Sequence, residues 1–172
     1  GKSADITWLA GQGFQVVGVE LSAIAIKSYF SEQGLNYEQL ESGPFVAYVC
    51  GNIRLLEGSF FDLQREDLAD CSLVYDRAAL IALEEPVRAR YTDWMQSIMG
   101  DKADMLLVTL DYDQSEMNGP PFSVSTDEVV RHYGQAFQVH TMLQTEIVDD
   151  SPRWRSKGLS SLVESVYQLE QK

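Results

Sequence analysis

Basic residues are scarce in this chain, in which 13 lysines and arginines are outnumbered by 26 acidic residues, and the formal net charge is −13. A surface of that sign repels phosphate backbones, so the composition argues against a nucleic-acid partner. No apolar run approaches the length of a membrane-spanning helix, and no signal peptide is visible. We therefore expect a cytoplasmic protein without a membrane partner, and the charge favours a monomer.

Cysteine and histidine are equally sparse, with two of each in the chain. Cys50 and Cys71 lie in apolar stretches without metal-like spacing, which favours buried, reduced thiols over a disulfide. His132 and His140 have no acidic or cysteine partners at ligand spacing, so we expect no metal site. The Gly-x-Ser-x-Gly pattern of a hydrolase nucleophile is also missing. These absences disfavour metal-dependent and serine-hydrolase chemistry.

The chain has 172 residues, 45% of them apolar, which is enough for one well-buried domain and too few for two ordinary ones. We therefore expect a single domain over residues 1–172. Helical and extended patterns alternate along it. Helices are predicted over 4–10, 23–33, 86–99 and 125–135, and strands over 15–21, 45–50, 53–57, 73–75, 105–110, 137–144 and 161–168, with a loop over 36–44 and a polar link over 151–158. This order predicts an α/β sheet, mostly parallel, with an antiparallel edge.

The first glycine turn and the strand after it are typical of a nucleoside-cofactor site. Gly11 to Gly13 precede a valine-rich strand that ends at Glu20 and Leu21. A glycine turn lets the main chain approach a ligand, and an acid at the end of the strand can accept both ribose hydroxyls. Later strands also end in charge: the strand over 73–75, which we expect to be buried, ends at Asp76-Arg77, and the next one ends over 111–113. Because ligands of open α/β sheets bind beyond the carboxyl ends of the strands, we expect the site there.

Several separated motifs occur in an order that points to one family. They are the run 1–13, Val17-Gly18-Val19-Glu20-Leu21-Ser22, Ser59-Phe60-Phe61-Asp62-Leu63, Tyr75-Asp76-Arg77-Ala78-Ala79-Leu80, and Leu110-Asp111-Tyr112-Asp113 leading to Gly119-Pro120-Pro121-Phe122. Together they resemble the thiopurine S-methyltransferase family, most closely its bacterial branch. The hairpin predicted at Gly51-Asn52 also occurs there, and the resemblance covers essentially the whole chain.

The resemblance implies a Rossmann-like class I methyltransferase sheet with an antiparallel C-terminal edge strand, and S-adenosylmethionine as cofactor. It implies an enzyme that methylates thiopurines or other small aromatic or heterocyclic thiols. Bacterial relatives are also associated with tellurite and selenite resistance, so detoxification of selenium or tellurium oxyanions is a further expectation.

Cofactor-binding residues follow from the resemblance position by position. Gly1 matches the glycine beside the methionine moiety, Glu20 matches the ribose-binding acid, and Leu21 lies against the adenosine. Ser59 and Phe60 match the positions that flank the adenine.

Acceptor-side residues follow in the same way. Arg77 matches an arginine at the junction of the cofactor and acceptor pockets, with a cofactor-binding and a catalytic role. Arg153 matches a second, catalytic and substrate-binding arginine, with Arg155 as the alternative. The loop over 114–124 is predicted to cover the pocket, with Pro120 and Pro121 stiffening it and Phe122 offering a flat apolar face to a heteroaromatic acceptor.

Two other functions stay open on the sequence. A nicotinamide-dependent oxidoreductase shares the acid at the strand end but should show Gly-x-Gly-x-x-Gly at the first turn, which residues 1–13 do not supply. A fragment that binds the cofactor without turnover is the other. In the resembled family a segment before Gly1 supplies the central strand and a lid, so we expect residues 1–172 to be an incomplete form without robust activity alone.

Overall fold

The computed structural model describes residues 3–99 and 103–172. The chain divides into two compact units, Gly1–Leu68 (the first unit) and Ala69–Lys172 (the second unit). Each unit contains one four-stranded sheet. No described helix is long and apolar enough to cross a membrane. The single domain expected from the chain length stays a prediction.

The first unit has two helices and one mixed sheet. Its elements are α1 (Ala4–Gly11), β1 (Val16–Glu20), α2 (Ala23–Glu32), β2 (Glu38–Ser42), β3 (Phe45–Cys50) and β4 (Ile53–Glu57), followed by short 3₁₀ turns at Phe60–Asp62 and Arg65–Leu68. The strand order is β1-β4-β3-β2. Strand β1 runs parallel to β4, and the two remaining pairs are antiparallel.

Local sequence signals explain most of these elements. The Ser22 hydroxyl accepts a hydrogen bond from the Ala25 N–H and begins α2, as predicted. The β3–β4 hairpin turns at Gly51, whose φ is +57°, which confirms the predicted hairpin. The next residue, Asn52, donates from its side chain to the carbonyl oxygens of Ala10 (2.9 Å) and Phe14 (2.6 Å). The hairpin is therefore bonded to the segment that leads into β1.

Strand β2 was expected to be a loop, and that prediction is wrong. Its residues are polar except Leu40, and almost all are exposed, so no alternation of apolar and polar side chains marks it as a strand. It forms because the two-residue turn at Gly43-Pro44 brings Ser42 opposite Phe45 and extends the antiparallel ladder of β3.

The second unit carries the remaining helices and the second sheet. Its elements are β5 (Leu73–Asp76), a 3₁₀ turn (Leu80–Ala82), α3 (Glu85–Ile98), β6 (Asp104–Asp111), α4 (Thr126–Tyr133), β7 (Phe137–Glu146), α5 (Pro152–Ser156) and β8 (Val163–Gln171). The strand order is β5-β6-β8-β7. Strands β5 and β6 are parallel, and β8 is antiparallel to β6 and β7, so the predicted antiparallel pairing at the C-terminal end of the chain is confirmed. The strand at the edge of the sheet is β7, because β8 lies between β6 and β7.

Two local expectations for the second unit are wrong. Strand β5 is not buried, because Leu73 and Tyr75 remain exposed and only its last residue, Asp76, is buried. The polar link over 151–158 contains helix α5, which begins at Pro152, a residue suited to the first turn of a helix. Trp154 is the buried residue of that helix.

Candidate functional site

Glu20 is the last residue of β1, where the sequence predicts the ribose-binding acid. Its Oε1 accepts a hydrogen bond from the Ser22 N–H at 2.8 Å. Partial burial raises the pKa of the Glu20 carboxyl, but opposing effects, which include the backbone N–H groups of Ser22 and Leu21, leave the pKa lowered overall. The carboxylate is therefore ionised at neutral pH, as an acceptor of hydroxyl groups should be. Leu21 follows it with a 75% exposed side chain, which offers apolar surface beside the acid.

Ser59 and Phe60 begin the 3₁₀ turn that follows β4. The Ser59 Oγ accepts a hydrogen bond from the Phe61 N–H at 3.2 Å, which leaves its hydroxyl hydrogen able to donate. The preceding Gly58 N–H donates to the Glu20 carbonyl oxygen at 3.1 Å. The first unit thus brings Glu20, Leu21, Ser59 and Phe60 to the ends of two adjacent parallel strands. Gly1, the remaining predicted cofactor residue, lies outside the described residues.

Gly58 is needed for close packing beside this segment. A Cβ at position 58 would overlap the Phe45 ring and come within 2.7 Å of its Cε1. Phe45 is buried and cannot move aside without disturbing the core. The main chain that leads to Ser59 therefore lies directly on an aromatic ring.

In the second unit, Arg77 directly follows β5. It is exposed and begins the bend that leads into the 3₁₀ turn at Leu80–Ala82. The Ile81 carbonyl oxygen in that turn accepts a hydrogen bond from the Phe122 N–H at 2.6 Å. The turn after Arg77 is thereby attached to the loop over 114–124, whose Phe122 is predicted to face the acceptor.

Side-chain hydrogen bonds hold residues 112–124, which include the predicted loop over 114–124. The Tyr112 hydroxyl donates to the Pro121 carbonyl oxygen at 2.6 Å. The Gln114 side chain donates to the Tyr112 hydroxyl (3.1 Å) and accepts from the Ser123 N–H (2.9 Å). Pro121 and Phe122 are therefore fixed by bonds on both sides rather than by proline alone.

Gly119 sets the position of the Phe122 ring. Its φ is +76°, and a Cβ there would lie 2.5 Å from Phe122 Cδ1. The ring therefore packs against the glycine main chain, which no other residue permits without strain. A cavity of about 260 Å³ lies beside Phe122 and is otherwise polar, lined by Glu84, Glu85, Arg88, Gln114 and Asn118.

The two candidate arginines of the 151–158 segment have different surroundings. Arg155 forms a two-point ion pair with Asp149, with Nε and Nη2 at 2.7 and 2.9 Å from its oxygens, and donates to the Ser160 carbonyl oxygen at 2.7 Å. The hydrogen bond from Arg155 lowers the pKa of Asp149. Arg153 instead lies over the Trp154 ring, with its Cζ 4.0 Å from the ring centroid. Arg155 therefore closes the segment on itself, whereas Arg153 stacks on its surface.

The acceptor segments predicted within the second unit are connected. The Ser160 N–H donates to Glu116 Oε2 at 2.8 Å, which joins the 112–124 loop to the segment after Arg153. The Phe122–Ile81 bond joins the same loop to the turn after Arg77. We call these three segments, 77–81, 112–124 and 153–160, the acceptor scaffold.

Sequence reasoning missed the residues that hold this scaffold. Gln114 and Tyr112 were given no role, and Asp76 was noted only as a charge at a strand end. No short motif marks them, because each acts through partners that the chain brings together only on folding. Among the described residues, no cluster of His, Cys, Asp or Glu side chains could hold a metal ion.

Comparison with known sequences shows a family. The family model for thiopurine S-methyltransferase (TPMT) matches residues 1–172. Thiopurine S-methyltransferase of Pseudomonas putida is 46% identical over 98% of this chain and 78% of its own length. The enzymes of Bordetella parapertussis and Azotobacter vinelandii are 44% and 43% identical, over 99% and 100% of this chain and 78% and 79% of their own lengths.

Solved structures show the fold. A SAM-dependent methyltransferase from Anabaena variabilis matches with a TM-score of 0.65 at 11% identity, covering 100% of this chain and 74% of its own. The 1,6-didemethyltoxoflavin-N1-methyltransferase of Burkholderia thailandensis, solved with S-adenosylhomocysteine, matches with a TM-score of 0.60 at 12% identity, covering 100% and 68%. The chain has a Rossmann-like methyltransferase fold.

The residues at the ends of β1 and β4 suit the cofactor that these comparisons indicate. An ionised carboxylate, an exposed leucine and a hydroxyl donor at adjacent strand ends match the ribose, the adenosine face and the adenine edge. The comparisons favour a methyltransferase that uses S-adenosylmethionine over a nicotinamide-dependent oxidoreductase. The chain belongs to the thiopurine S-methyltransferase family.

Proposed function

We propose that this chain transfers the methyl group of S-adenosylmethionine to the sulfur of small aromatic or heterocyclic thiols, with thiopurines as the substrate class. The observation that carries the proposal is the acceptor scaffold, which joins the segments that bear Arg77, Phe122 and Arg153 by main-chain and side-chain hydrogen bonds. Two guanidinium groups and an aromatic ring are the chemistry that an anionic, flat acceptor requires.

For the cofactor, the proposal uses the first unit. Glu20 accepts hydrogen bonds from the ribose hydroxyls, Leu21 contacts the adenosine, and Ser59 and Phe60 flank the adenine, while Gly1 and Arg77 remain predicted cofactor contacts. When bound, S-adenosylmethionine supplies an electrophilic methyl group on a sulfonium sulfur. No proton moves at the reacting carbon, so the protein's task is positioning and exclusion of water.

For the acceptor, the proposal uses the arginines. A thiolate is a better nucleophile than its thiol, and a nearby guanidinium lowers the thiol pKa by favouring the anion. The proton leaves to solvent before transfer. We assign this role to Arg77 and, in the α5 segment, to Arg153. Arg153 is preferred to Arg155 because the Arg155 guanidinium is bonded to Asp149 and to main-chain oxygens. Phe122 offers its ring to the flat acceptor, and Pro121 fixes the approach to it.

The test measures thioether formation by the gene product that contains this chain, with 6-mercaptopurine and thiophenol as acceptors. Arg77→Ala should lower kcat/KM for the acceptor by roughly 10- to 100-fold, because a charge-assisted contact is lost. Arg77→Lys should recover part of that loss, since it restores the charge but not the planar fork.

Arg131→Ala is the matched control, because Arg131 is an exposed arginine of the second unit whose nearest acidic partner, Glu85, is 3.6 Å away. Its kcat/KM should stay within about twofold of the unaltered enzyme, since exposed ion pairs contribute little. Failure of the unaltered enzyme to methylate any thiol, despite binding S-adenosylhomocysteine, would refute the proposed function. If Arg77→Ala lost S-adenosylhomocysteine affinity by the same factor as kcat/KM, Arg77 would be assigned to cofactor binding alone.

A further inference from the structure

Asp76 is a buried carboxylate that the proposed reaction does not use. It ends β5 and is 3% exposed, and it is the most deeply buried acidic residue among residues 3–99 and 103–172. Burying a charge is costly unless hydrogen bonds compensate it. The partners of Asp76 therefore indicate what the burial achieves.

Both carboxylate oxygens of Asp76 have partners. Oδ1 accepts from the N–H groups of Ala79 at 3.0 Å and Leu80 at 3.3 Å, and so closes the turn that begins with Arg77. Oδ2 accepts from the Tyr91 hydroxyl on α3 at 2.9 Å. Burial raises the pKa of Asp76, while the Tyr91 hydroxyl and the main-chain N–H groups oppose that rise.

This arrangement fixes the main chain on both sides of Arg77. On one side, Asp76 lies in the β ladder opposite Leu107. On the other side, the amides of residues 79 and 80 are bonded to the carboxylate of Asp76. Solvent can replace such bonds in an exposed Asp turn, but a buried carboxylate loses them only at the full cost of an unsatisfied charge. The direction in which Arg77 leaves the sheet is thereby restricted.

We propose that Asp76 is a positioning residue for the acceptor site, whose Oδ1 holds the 77–80 turn in the one conformation that aims Arg77 at the acceptor. This inference rests on the proposed function, because it gives Arg77 its task there. Asp76 itself touches neither the acceptor nor the reacting atoms.

The two oxygens allow a matched set of variants. Asp76→Ala removes both sets of bonds. Asp76→Asn can keep its oxygen on the two amides and donate from its nitrogen to the Tyr91 hydroxyl. Tyr91→Phe removes the bond to Oδ2 and leaves both amide bonds of Oδ1 in place. If Asp76 positions Arg77, losing the Oδ1 bonds should lower activity. Losing either the Oδ1 bonds or the Oδ2 bond should lower stability.

Steady-state kinetics of 6-mercaptopurine methylation should then distinguish these variants by their kcat/KM. We expect Asp76→Ala to lower kcat/KM about tenfold or more, Asp76→Asn to stay within about threefold, and Tyr91→Phe to lower the melting temperature with kcat/KM within about twofold. In an Arg77→Ala background, adding Asp76→Ala should cost less than about threefold, because the group through which Asp76 acts is gone.

An equal cost of Asp76→Ala with and without Arg77 would overturn the inference, since a merely structural role acts in both backgrounds. If Asp76→Ala does not fold, hydrogen exchange of the unaltered protein decides: Ala79 and Leu80 amides that exchange as fast as exposed loop amides also overturn it. If the enzyme is active and Arg77→Ala lowers kcat/KM as expected, but the Asp76 experiments give a contrary result, the positioning role of Asp76 alone is refuted. An enzyme that methylates no thiol refutes the proposed function, and the role of Asp76 with it.

Discussion

The two units hold their candidate site residues by different means. In the first unit, Glu20, Ser59 and Phe60 lie at the ends of strands and are fixed by main-chain hydrogen bonds, among them the bond between Gly58 and Glu20. In the second unit, Arg77 and Phe122 lie on loops that side chains brace. Asp76 holds the turn after Arg77, and Tyr112 and Gln114 hold the loop with Phe122. One arrangement depends on the backbone path, and the other depends on side-chain identity.

The difference has a chemical reason. A nucleoside presents the same hydroxyls and the same ring in every methyltransferase that uses it, so a strand end can serve without adjustment. An acceptor varies, and loops braced by side chains can be altered without disturbing a sheet. We therefore expect substitutions in the first unit to change cofactor affinity, and those in the second unit to change acceptor kinetics.

The largest effects are expected from alanine at two glycines, one in each unit. Gly119→Ala forces a Cβ to within 2.5 Å of the Phe122 ring at a φ of +76°, which should cost roughly 2–4 kcal/mol and lower acceptor kcat/KM more than tenfold. Gly58→Ala forces a Cβ into the Phe45 ring and should weaken S-adenosylhomocysteine binding by a similar factor. Calorimetric titration and steady-state kinetics measure the two losses.

Gly34→Ala is the control for both, because Gly34 has a φ of +65° but no atom within 4 Å of the added Cβ. It should report the conformational strain alone, about 1 kcal/mol, with cofactor affinity and acceptor kinetics unchanged. If both test variants lost cofactor affinity and acceptor turnover equally, the contrast between the units would not hold.

A smaller effect is expected from the two arginines of the α5 segment. Arg155→Ala should lower the melting temperature slightly and leave the intrinsic chemistry intact, because its bonds to Asp149 and Ser160 are exposed. Arg153→Ala should instead raise the acceptor KM or lower kcat with little change in melting temperature. Thermal denaturation with parallel kinetics separates them, and the reverse result would make Arg155 the acceptor residue.

The smallest effect concerns Tyr48 and appears only at alkaline pH. The Tyr48 hydroxyl donates to Glu57 at 2.6 Å, and burial together with that carboxylate raises the pKa of Tyr48 to about 12 from an ordinary value of 10.0. Because the folded state keeps its proton longer, this stabilisation is complete below pH 10.0 and is lost as the pH rises towards about 12.

The check is the free energy of unfolding of the unaltered protein and of Tyr48→Phe between about pH 8 and about pH 11.5. Tyr91 in the second unit also has a pKa raised by burial, so both proteins should lose stability in alkali. The free energy of unfolding should fall further for the unaltered protein than for Tyr48→Phe over that interval. Parallel curves of that free energy against pH would show that Tyr48 makes no contribution.

The sequence predicted the elements that a local signal marks. Helix α2, the β3–β4 hairpin and the capped helix α4 were all expected, because a serine cap or a glycine turn marks each of them. Strand β2 could not be predicted, since both of its faces are exposed and only its neighbour makes it a strand. Helix α5 was missed because five residues are too few for a periodic pattern.

The candidate site was predictable only where one residue carries the chemistry. Glu20 and Arg77 could be named from strand ends and from the family resemblance. The bracing by Gln114 could not, because its partners Tyr112 and Ser123 are brought together by the folded loop. The roles of all the site residues remain predictions for the experiments above: Gly1, Glu20, Leu21, Ser59, Phe60, Arg77, Pro121, Phe122 and Arg153.

Asn52 has a consequence for protein engineering. Its side-chain bonds to the carbonyl oxygens of Ala10 and Phe14 attach the segment before β1 to the hairpin turn. Shortening the β3–β4 hairpin to reach a minimal α/β unit would remove these two bonds along with the turn. The shortened protein would need another amide donor at this place, because otherwise the segment before the strand that bears Glu20 would no longer be held.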